Sequence, residues 1–369
     1  MSIYVTKPSL PNYSDYIEEI RPIFESHILT NSGPIYQRFQ KELEEFLEVA
    51  EVSLFVNGHL ALEMAIHEIV KEKKDDTLEG EVITTPFTFV STTHSITRNN
   101  LKPVFCDIKR EDCCLDPDQI ENLINEKTVA IVPVHVYGNI CDVEKIEHIA
   151  RKYDLKVIYD GAHAFGEKYK KRPIACFGDA TMFSFHATKV FNSIEGGAVA
   201  FQDKKYREAL EEIKNFGIHE EDVPVVGANG KMDEFRAAMG ICNLKGIRNS
   251  IDSRRKVFDR YVERLSGING IQLVLSQKEV EYNYAYFPVV FEPDLFGKNR
   301  DVVISDLKKH DIYARKYFYP AVNEMTCYKN MNNGLTPVAH YMSENVLTLP
   351  IYEGLQAEDV DRICDIIVG

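Results

Sequence analysis

The apolar residues of the chain occur in two spacings, which predict alternating strands and helices. Short continuous apolar runs are typical of buried strands, and they fill positions 52–56, 81–85, 103–106, 128–134, 155–159, 181–185 and 198–201. Between several of these runs the apolar residues recur every three or four positions, which is typical of a helix. The segment 142–153, for example, places Val143, Ile146 and Ile149 on one helical face. We therefore predict an α/β fold with a mostly parallel central sheet.

The two ends of the chain have different patterns. Residues 1–30 form a proline-rich arm and a short helix that we expect to break near Pro22. Beyond about residue 245 the pattern predicts a small α+β unit, with elements at 247–266, 271–275, 284–291 and 300–310. We predict a large domain at 1–249, which includes the arm, and a small domain at 250–369. The polar stretch KEKKDDTLEG, residues 71–80, predicts a solvated loop.

Charge and composition exclude several classes of function. The net charge of −14 argues against bulk attraction to nucleic acid or to an anionic membrane. The chain has no apolar run of about 18 residues, and its first residues lack the pattern of a signal peptide. The eight cysteines form no CxxC pair and no Cys/His spacing of a zinc site. We expect a cytoplasmic protein with reduced cysteines and no metal.

Three strand ends carry groups that could act together on one small molecule. Asp160 follows the run VIY, Lys189 follows FSF within FSFHATKVFNSIEGG, and a glycine turn at Gly58 leads from a strand into a helix. Each has an ordinary alternative: a helix cap, a surface lysine or a common turn. Together they match pyridoxal phosphate, whose aldehyde needs an amine, whose ring nitrogen needs a carboxylate and whose phosphate needs N–H donors.

Two further segments could complete such a site. Phe87 and Phe89, in PFTFVSTTH, could stack on a flat cofactor, although two phenylalanines are more often core residues. The segment VGANGKMDEFRAAMG, residues 226–240, predicts a Gly/Asn loop that leads into a helix. Its Asn229 could donate to a phosphate or could be a turn residue that tolerates left-handed geometry.

The motifs together resemble the DegT/DnrJ/EryC1/StrS sugar aminotransferases over nearly the whole chain. The motifs that carry the resemblance are TNSGP, NGHLAL, PFTF, PVHVYG, YDGAHAFG, GDATMFSFHATKVFNSIEGG, NGKMDEFRAAMG and LTLPIY. The resemblance implies a fold of type I, the aspartate-aminotransferase type, and pyridoxal 5'-phosphate as cofactor. It also implies a homodimer with shared active sites, and glutamate as the amino donor.

The resemblance implies a role for each matching residue. Lys189 would bind the coenzyme covalently and carry the proton, and Asp160 would face the ring nitrogen. Six further residues would contact the coenzyme, with the ring between Ala162 and Phe89, the ring hydroxyl at His163, and the phosphate at Gly58, His59 and Ser184. Asn229 would reach the phosphate from the partner subunit. Residues on the substrate side would be Thr30, His186 and Asn192.

The C-terminal segments narrow the expected substrate. YNYAYFPVVF (282–291) and ARKYFYPAV (314–322) resemble the subgroup that acts on dTDP-linked keto-6-deoxy-sugars. We expect amination at C4 to give dTDP-4-amino-4,6-dideoxyglucose, a precursor of surface polysaccharide, and amination at C3 stays an alternative. Arg315 and Tyr317 are candidates for binding the diphosphate or nucleotide of the substrate. A salt bridge at the end of a helix is at least as good an explanation for these residues.

Two other functions are open on the same fold. A sugar dehydratase of this family carries histidine in place of the lysine, whereas position 189 is lysine here. A regulator that binds the coenzyme without turnover usually carries an added DNA-binding domain. This chain has no residues left for one, and its charge is unsuited to DNA.

Overall fold

A computed structural model describes residues 2–71, 73, 80–331 and 335–369. The strands in these ranges are β1 (Ile3–Tyr4), β2 (Glu51–Phe55), β3 (Glu81–Thr84), β4 (Lys102–Phe105), β5 (Thr128–Val132), β6 (Lys156–Asp160), β7 (Lys168–Tyr169), β8 (Arg172–Pro173), β9 (Ala180–Ser184), β10 (Gly197–Phe201), β11 (Ile271–Leu273), β12 (Val280–Glu281), β13 (Phe287–Phe291), β14 (Ile312–Tyr313) and β15 (Val346–Leu349). Most of the loop predicted at 71–80 lies outside the described residues.

The helices in the same ranges are α1 (Tyr13–Ser26), α2 (Pro34–Leu47), α3 (Gly58–Val70), α4 (Val90–Thr97), α5 (Pro117–Ile120), α6 (Val143–Tyr153), α7 (Lys205–Ile213), α8 (Glu234–Leu265), α9 (Pro293–Phe296), α10 (Arg300–Lys309), α11 (Pro337–Asn345) and α12 (Ala357–Val368). Short 3-10 turns occupy Glu121–Leu123, Val136–Gly138, Ile174–Cys176 and Val322–Glu324. Within the described ranges, no helix combines the length and apolar character needed to cross a bilayer.

The centre of the molecule is a seven-stranded sheet with the order β2-β10-β9-β6-β5-β3-β4. Its strands run parallel except β10, which is antiparallel to both β2 and β9. The fully buried runs of β2, β5 and β10 explain why they read as continuous apolar segments in the sequence. The predicted α/β fold with a mostly parallel sheet is confirmed.

Helices cover both faces of this sheet. On one face, α3 packs Leu62, Ile66 and Ile69 into a core with the sheet. On the other face, α2 contributes Phe39 and Leu43 to a second core, which α6 and part of α8 also line. Parallel strands buried on both faces bring their carboxyl ends to one edge, where ligands of such sheets bind.

A smaller antiparallel sheet, β11-β13-β15, packs against α8, α10 and α12 in a third core. The N-terminal arm joins this part of the molecule, because β1 pairs with β14 through Ile3 and Ile312. Helix α8 runs without interruption across the boundary expected between residues 249 and 250. The division into domains at 1–249 and 250–369 therefore stays a prediction.

Two expectations about helices were wrong. Helix α1 continues through Pro22, because Pro22 and Glu18 are exposed and the carbonyl left without its N–H donor can bond water. The long helix predicted at 247–266 begins at Glu234. Asp233 starts it by accepting a hydrogen bond of 2.9 Å from the Arg236 amide.

Candidate active site

A cavity of about 360 Å³ lies at the carboxyl ends of the parallel strands. Eleven residues predicted for the site line it, namely Gly58, His59, Phe89, Asp160, Ala162, His163, Ser184, His186, Lys189, Arg315 and Tyr317. They come from the ends of β2, β3, β6 and β9 and from the segment after β14. The structure therefore brings together groups that are up to 259 residues apart in the sequence.

Lys189 is the amine of this cavity. Its Nζ donates a hydrogen bond of 3.4 Å to the hydroxyl of Tyr286. Burial lowers the pKa of Lys189 from 10.5 to about 8, while the negative charge of Asp160 acts in the opposite direction. About a tenth of this amine is consequently neutral at pH 7, far more than for an ordinary lysine, and the neutral form is able to attack a carbonyl group.

Asp160 ends β6 and is buried beneath the cavity. Its Oδ2 accepts a hydrogen bond of 2.7 Å from Thr92 Oγ1, and its Oδ1 accepts one of 3.0 Å from the Ala162 amide. Burial raises the pKa of Asp160, and these two donors and the charge of Lys189 oppose that rise. A cationic partner would stabilise the carboxylate further, as the protonated nitrogen of a pyridine ring would.

His163 presents a defined tautomer. The amide of Tyr137 donates to its Nδ1 at 3.1 Å, so Nδ1 is the unprotonated nitrogen and Nε2 carries the hydrogen of the neutral ring. Burial, reinforced by the charge of Lys189, holds the pKa of His163 well below its usual range. His163 therefore stays neutral and can donate one hydrogen bond from Nε2, which suits a ring hydroxyl or phenolate oxygen.

The glycine turn forms a close cradle with Ser184. Asn57 caps α3 by accepting from the Leu60 amide at 2.8 Å, which leaves the first-turn amides of Gly58 and His59 ahead of the helical ladder. A Cβ on Gly58 would lie 2.8 Å from Ser184 Cβ and 3.1 Å from its Oγ. Only glycine allows this approach, and the amides and hydroxyl together suit a phosphate.

The rim of the cavity carries the other predicted residues. Phe89, just before α4, is 58% exposed, and its ring is available for stacking on a flat ligand. His186 contacts Thr188 Oγ1 through Nδ1 at 2.8 Å and lies 3.5 Å from a Glu195 oxygen through Nε2. On the facing side, Arg315 Nη1 donates to the hydroxyl of Tyr317 at 2.6 Å.

Three predicted residues lie outside this cavity. Asn192 is buried, where its side-chain amide donates to the Ser9 carbonyl at 3.0 Å and so fastens the N-terminal arm. Thr30 and Asn229 are exposed on the surface of the single chain. Neither Thr30 nor Asn229 lines the cavity of its own chain.

Two residues that define the site, Thr92 and Tyr286, were not predicted from the sequence. Thr92 lies within the quoted motif PFTFVSTTH, but nothing local shows that it faces a carboxylate 68 residues away. Tyr286 lies within YNYAYFPVVF, where its alternation with other aromatic residues is typical of a strand core. Its contact with Lys189 depends on the packing of the small sheet against the large one.

The donor set fits pyridoxal phosphate. An amine with a lowered pKa, a buried carboxylate and a phosphate cradle lie in one cavity, and the cradle has no room for a side chain at Gly58. Lys189 would hold the aldehyde carbon, Asp160 the ring nitrogen, and the Gly58 turn with Ser184 the phosphate.

Comparison with known proteins agrees with this geometry. The profile of the DegT/DnrJ/EryC1/StrS aminotransferase family matches residues 12–368. The chain belongs to this family. A dTDP-4-amino-4,6-dideoxy-D-glucose transaminase of Shigella dysenteriae is 40% identical over 367 residues, covering 99% of this chain and 98% of the relative. An enzyme of the same name from Escherichia coli is 39% identical over 375 residues, covering 100% of this chain and 98% of the relative.

Solved structures extend the comparison to the fold. The crystal structure of DesI in the presence of its TDP-sugar product superposes with a TM-score of 0.93 at 30% identity, covering 100% of this chain and 92% of DesI. The protein is thus a pyridoxal-phosphate-dependent aminotransferase of fold type I, as the sequence motifs predicted.

Proposed function

We propose that this aminotransferase moves the amino group of glutamate to C4 of dTDP-4-keto-6-deoxyglucose and forms dTDP-4-amino-4,6-dideoxyglucose. The observation that carries the proposal is the cavity in which Lys189, Asp160 and the Gly58 cradle converge. When bound there, pyridoxal phosphate supplies an electron sink for the carbon that exchanges nitrogen.

The residues of the chain supply the acid–base work. Lys189, with its lowered pKa, would hold the aldehyde carbon of the coenzyme and would accept and deliver a proton at its Nζ. The hydrogen bonds that Asp160 accepts from Thr92 and the Ala162 amide stabilise its ionised form, and the carboxylate would hold a proton on the ring nitrogen. His163 stays neutral and donates, so it adds no further positive charge.

The choice of sugar is supported by the relatives. Two proteins about as long as this chain and 39–40% identical to it are dTDP-4-amino-4,6-dideoxy-D-glucose transaminases. The open end of the cavity adds Arg315 beside Tyr317, a cation and an aromatic ring that suit a nucleotide diphosphate. Amination at C4 is therefore favoured over amination at C3.

We propose further that two copies share their active sites. The segments that carry Thr30 and Asn229 are joined, because the Glu234 amide donates to the Leu29 carbonyl at 3.0 Å and the Glu234 carboxylate accepts from the Ile35 amide at 2.8 Å. Thr30 and Asn229 thus belong to one connected surface that a partner's cavity can receive. The eight free thiols support a cytoplasmic location.

The proposed function is tested by supplying purified protein with dTDP-4-keto-6-deoxyglucose and glutamate. We expect 2-oxoglutarate and a nucleotide amino sugar, with NMR placing nitrogen on C4. The Lys189→Ala variant is the negative control and should form neither product. Nitrogen on C3 would reject the regiochemistry, and absence of 2-oxoglutarate would reject the donor.

A further inference from the structure

The wall behind the active site contains two buried oxygen atoms that lack a hydrogen-bond donor. Oε2 of Glu167 and Oδ1 of Asn283 have no hydrogen-bond partner within the described part of the chain, and each residue is only 1% exposed. The residues are already joined, because the Asn283 amide donates to Glu167 Oε1 at 3.0 Å. Two acceptors on touching residues are both satisfied if one carries a proton.

Asn283 links two walls of the active site. Its Nδ2 donates to the carbonyl of His163 at 2.9 Å and to that of Phe165 at 3.1 Å. Three residues further on, Tyr286 contacts Lys189 Nζ through its hydroxyl, and its ring centre lies 4.7 Å from that of His163. Asn283 therefore fixes the loop after β6 relative to the segment before β13.

A small cavity connects this link to the catalytic amine. It measures about 10 Å³ and is lined by Asn283, His163, Tyr286 and Lys189 among others. A displacement of Asn283 would open this cavity and change the wall against which Lys189 rests. The link consequently bears on the position of the amine as well as on the stability of the loop.

The surroundings of Glu167 favour the neutral carboxyl. Burial raises its pKa well above the usual value, and the Asn283 amide is the group that opposes this rise. A negative charge on Glu167 would raise the pKa values of Tyr282 and Tyr284, and neither tyrosine can offer it a positive charge. Space is also tight, since a Cβ on Gly138 would lie 2.7 Å from Glu167 Oε1.

We propose that Glu167 and Asn283 form a positioning pair, in which a neutral Glu167 carboxyl donates from Oε2 to Asn283 Oδ1. Through Asn283 the pair holds His163 and Tyr286 in register, and through Tyr286 it holds Lys189. This inference concerns the coenzyme site alone and is independent of the proposed sugar, so it can be tested with no sugar present.

The test is a pH titration of the absorbance of the bound coenzyme. Glu167→Gln keeps an acceptor for the Asn283 amide and a donor for Oδ1, so we expect the wild-type midpoint. Glu167→Leu has similar volume but neither group, so we expect the midpoint to shift by about one pH unit. Glu81→Gln is the matched control, because Glu81 is a buried carboxylate of β3 paired with Lys102 at 2.8 Å. It should leave the midpoint unchanged.

Three results would overturn the pair. The first is that Glu167→Gln shifts the titration midpoint as far as Glu167→Leu does. The second is that Glu167→Leu has the wild-type midpoint. The third is that Glu81→Gln shifts the midpoint by the same amount as Glu167→Leu. If Glu167→Leu does not fold, infrared difference spectra of wild type against Glu167→Gln decide the matter. Loss of a protonated-carboxyl band supports the pair, and loss of a carboxylate band refutes it.

Discussion

The hydroxyl of Thr92 donates a hydrogen bond of 2.7 Å to Oδ2 of Asp160, and Thr88 Oγ1 lies 3.1 Å from that hydroxyl. Helix α4 thereby orients a carboxylate that stands at the end of β6. One oxygen of Asp160 is held by this hydroxyl and the other by a backbone amide, so the plane of the carboxylate is fixed before any ligand binds.

Thr92→Val should weaken the site without changing its shape. Loss of a donor to a buried carboxylate costs about 2 kcal/mol, and we expect kcat/KM to fall roughly thirtyfold. Thr93→Val is the matched control, because the Thr93 hydroxyl is buried with no partner in the described residues and its removal should leave kcat/KM unchanged. Equal losses in the two variants would show that the Thr92 bond has no special role.

Lys189→Ala should abolish turnover, with a fall of at least about 10³ in kcat, because the nucleophile and the proton carrier are the same amine. The absorbance of the covalently held coenzyme should disappear while circular dichroism stays that of wild type. Lys170→Ala removes an exposed lysine paired with Glu144 and serves as control. Retention of the absorbance in Lys189→Ala would place the coenzyme on another residue.

Stability without coenzyme should depend on pH through Lys189. Its pKa of about 8 lies below the 10.5 of an unfolded chain, so between these values the unfolded chain binds more protons and the free energy of unfolding rises with pH. Below pH 8 the full cost of the buried ammonium is present. Lys189→Met should therefore stabilise the coenzyme-free protein by about 3 kcal/mol at pH 7 and by less near pH 10.

Urea denaturation at the two pH values measures this difference. Because the comparison is between the variant and wild type at each pH, titrating groups that Lys189 does not influence cancel, and the buried Lys214, whose pKa burial also lowers to about 8, is one of them. A stabilisation of equal size at both pH values would mean that Lys189 is not the group that titrates.

Gly58→Ala should impair coenzyme binding, since its Cβ would meet Ser184 at 2.8 Å and push the cradle open. We expect the affinity for pyridoxal phosphate to fall about tenfold or more, as loss of about 1.4 kcal/mol implies. Gly246→Ala is the matched control in α8, where nothing lies within 4 Å of the added atom. It should raise stability by about 1 kcal/mol and leave binding intact. Wild-type affinity in Gly58→Ala would argue against the cradle.

Shared active sites predict complementation between two inactive variants. Lys189→Ala disables the cavity of its own chain, and Asn229→Asp should disable the partner's by placing a negative charge near the phosphate. Mixed dimers would contain one site with neither change, so activity should return on co-expression. Sedimentation checks that dimers form, and dimers that stay inactive after mixing would contradict sharing.

Local patterns predicted those site residues that follow continuous apolar runs. Asp160 and Lys189 could be found because a buried strand precedes each, and strand ends meet at one edge of a parallel sheet. Thr92 could not, since a threonine on a helix gives no signal of a partner 68 residues away. Glu167 likewise reads as a surface glutamate, and only the fold buries it.

Element boundaries were predictable only where apolar spacing is strong. The pattern predicted a helix after the loop within 226–240 and a separate long helix at 247–266, whereas α8 is continuous, because Ala237, Ala238 and Gly240 provide only a weak amphipathic pattern before the charged middle of the helix. The break expected at Pro22 did not occur, because a single lost hydrogen bond on an exposed turn is tolerated. Both errors arise where tertiary packing or solvent decides the outcome.

Helix α8 spans 32 residues, a rod of about 48 Å. Its first turns bury Ala237 and Ala238 in the core of the large sheet, and its last turns bury Tyr261 and Leu265 in that of the small one. Because one continuous helix is packed into both cores, a hinge motion of one core relative to the other has little freedom. Access for bulky reactants must come instead from loops and side chains at the mouth, such as Phe89 and Tyr317.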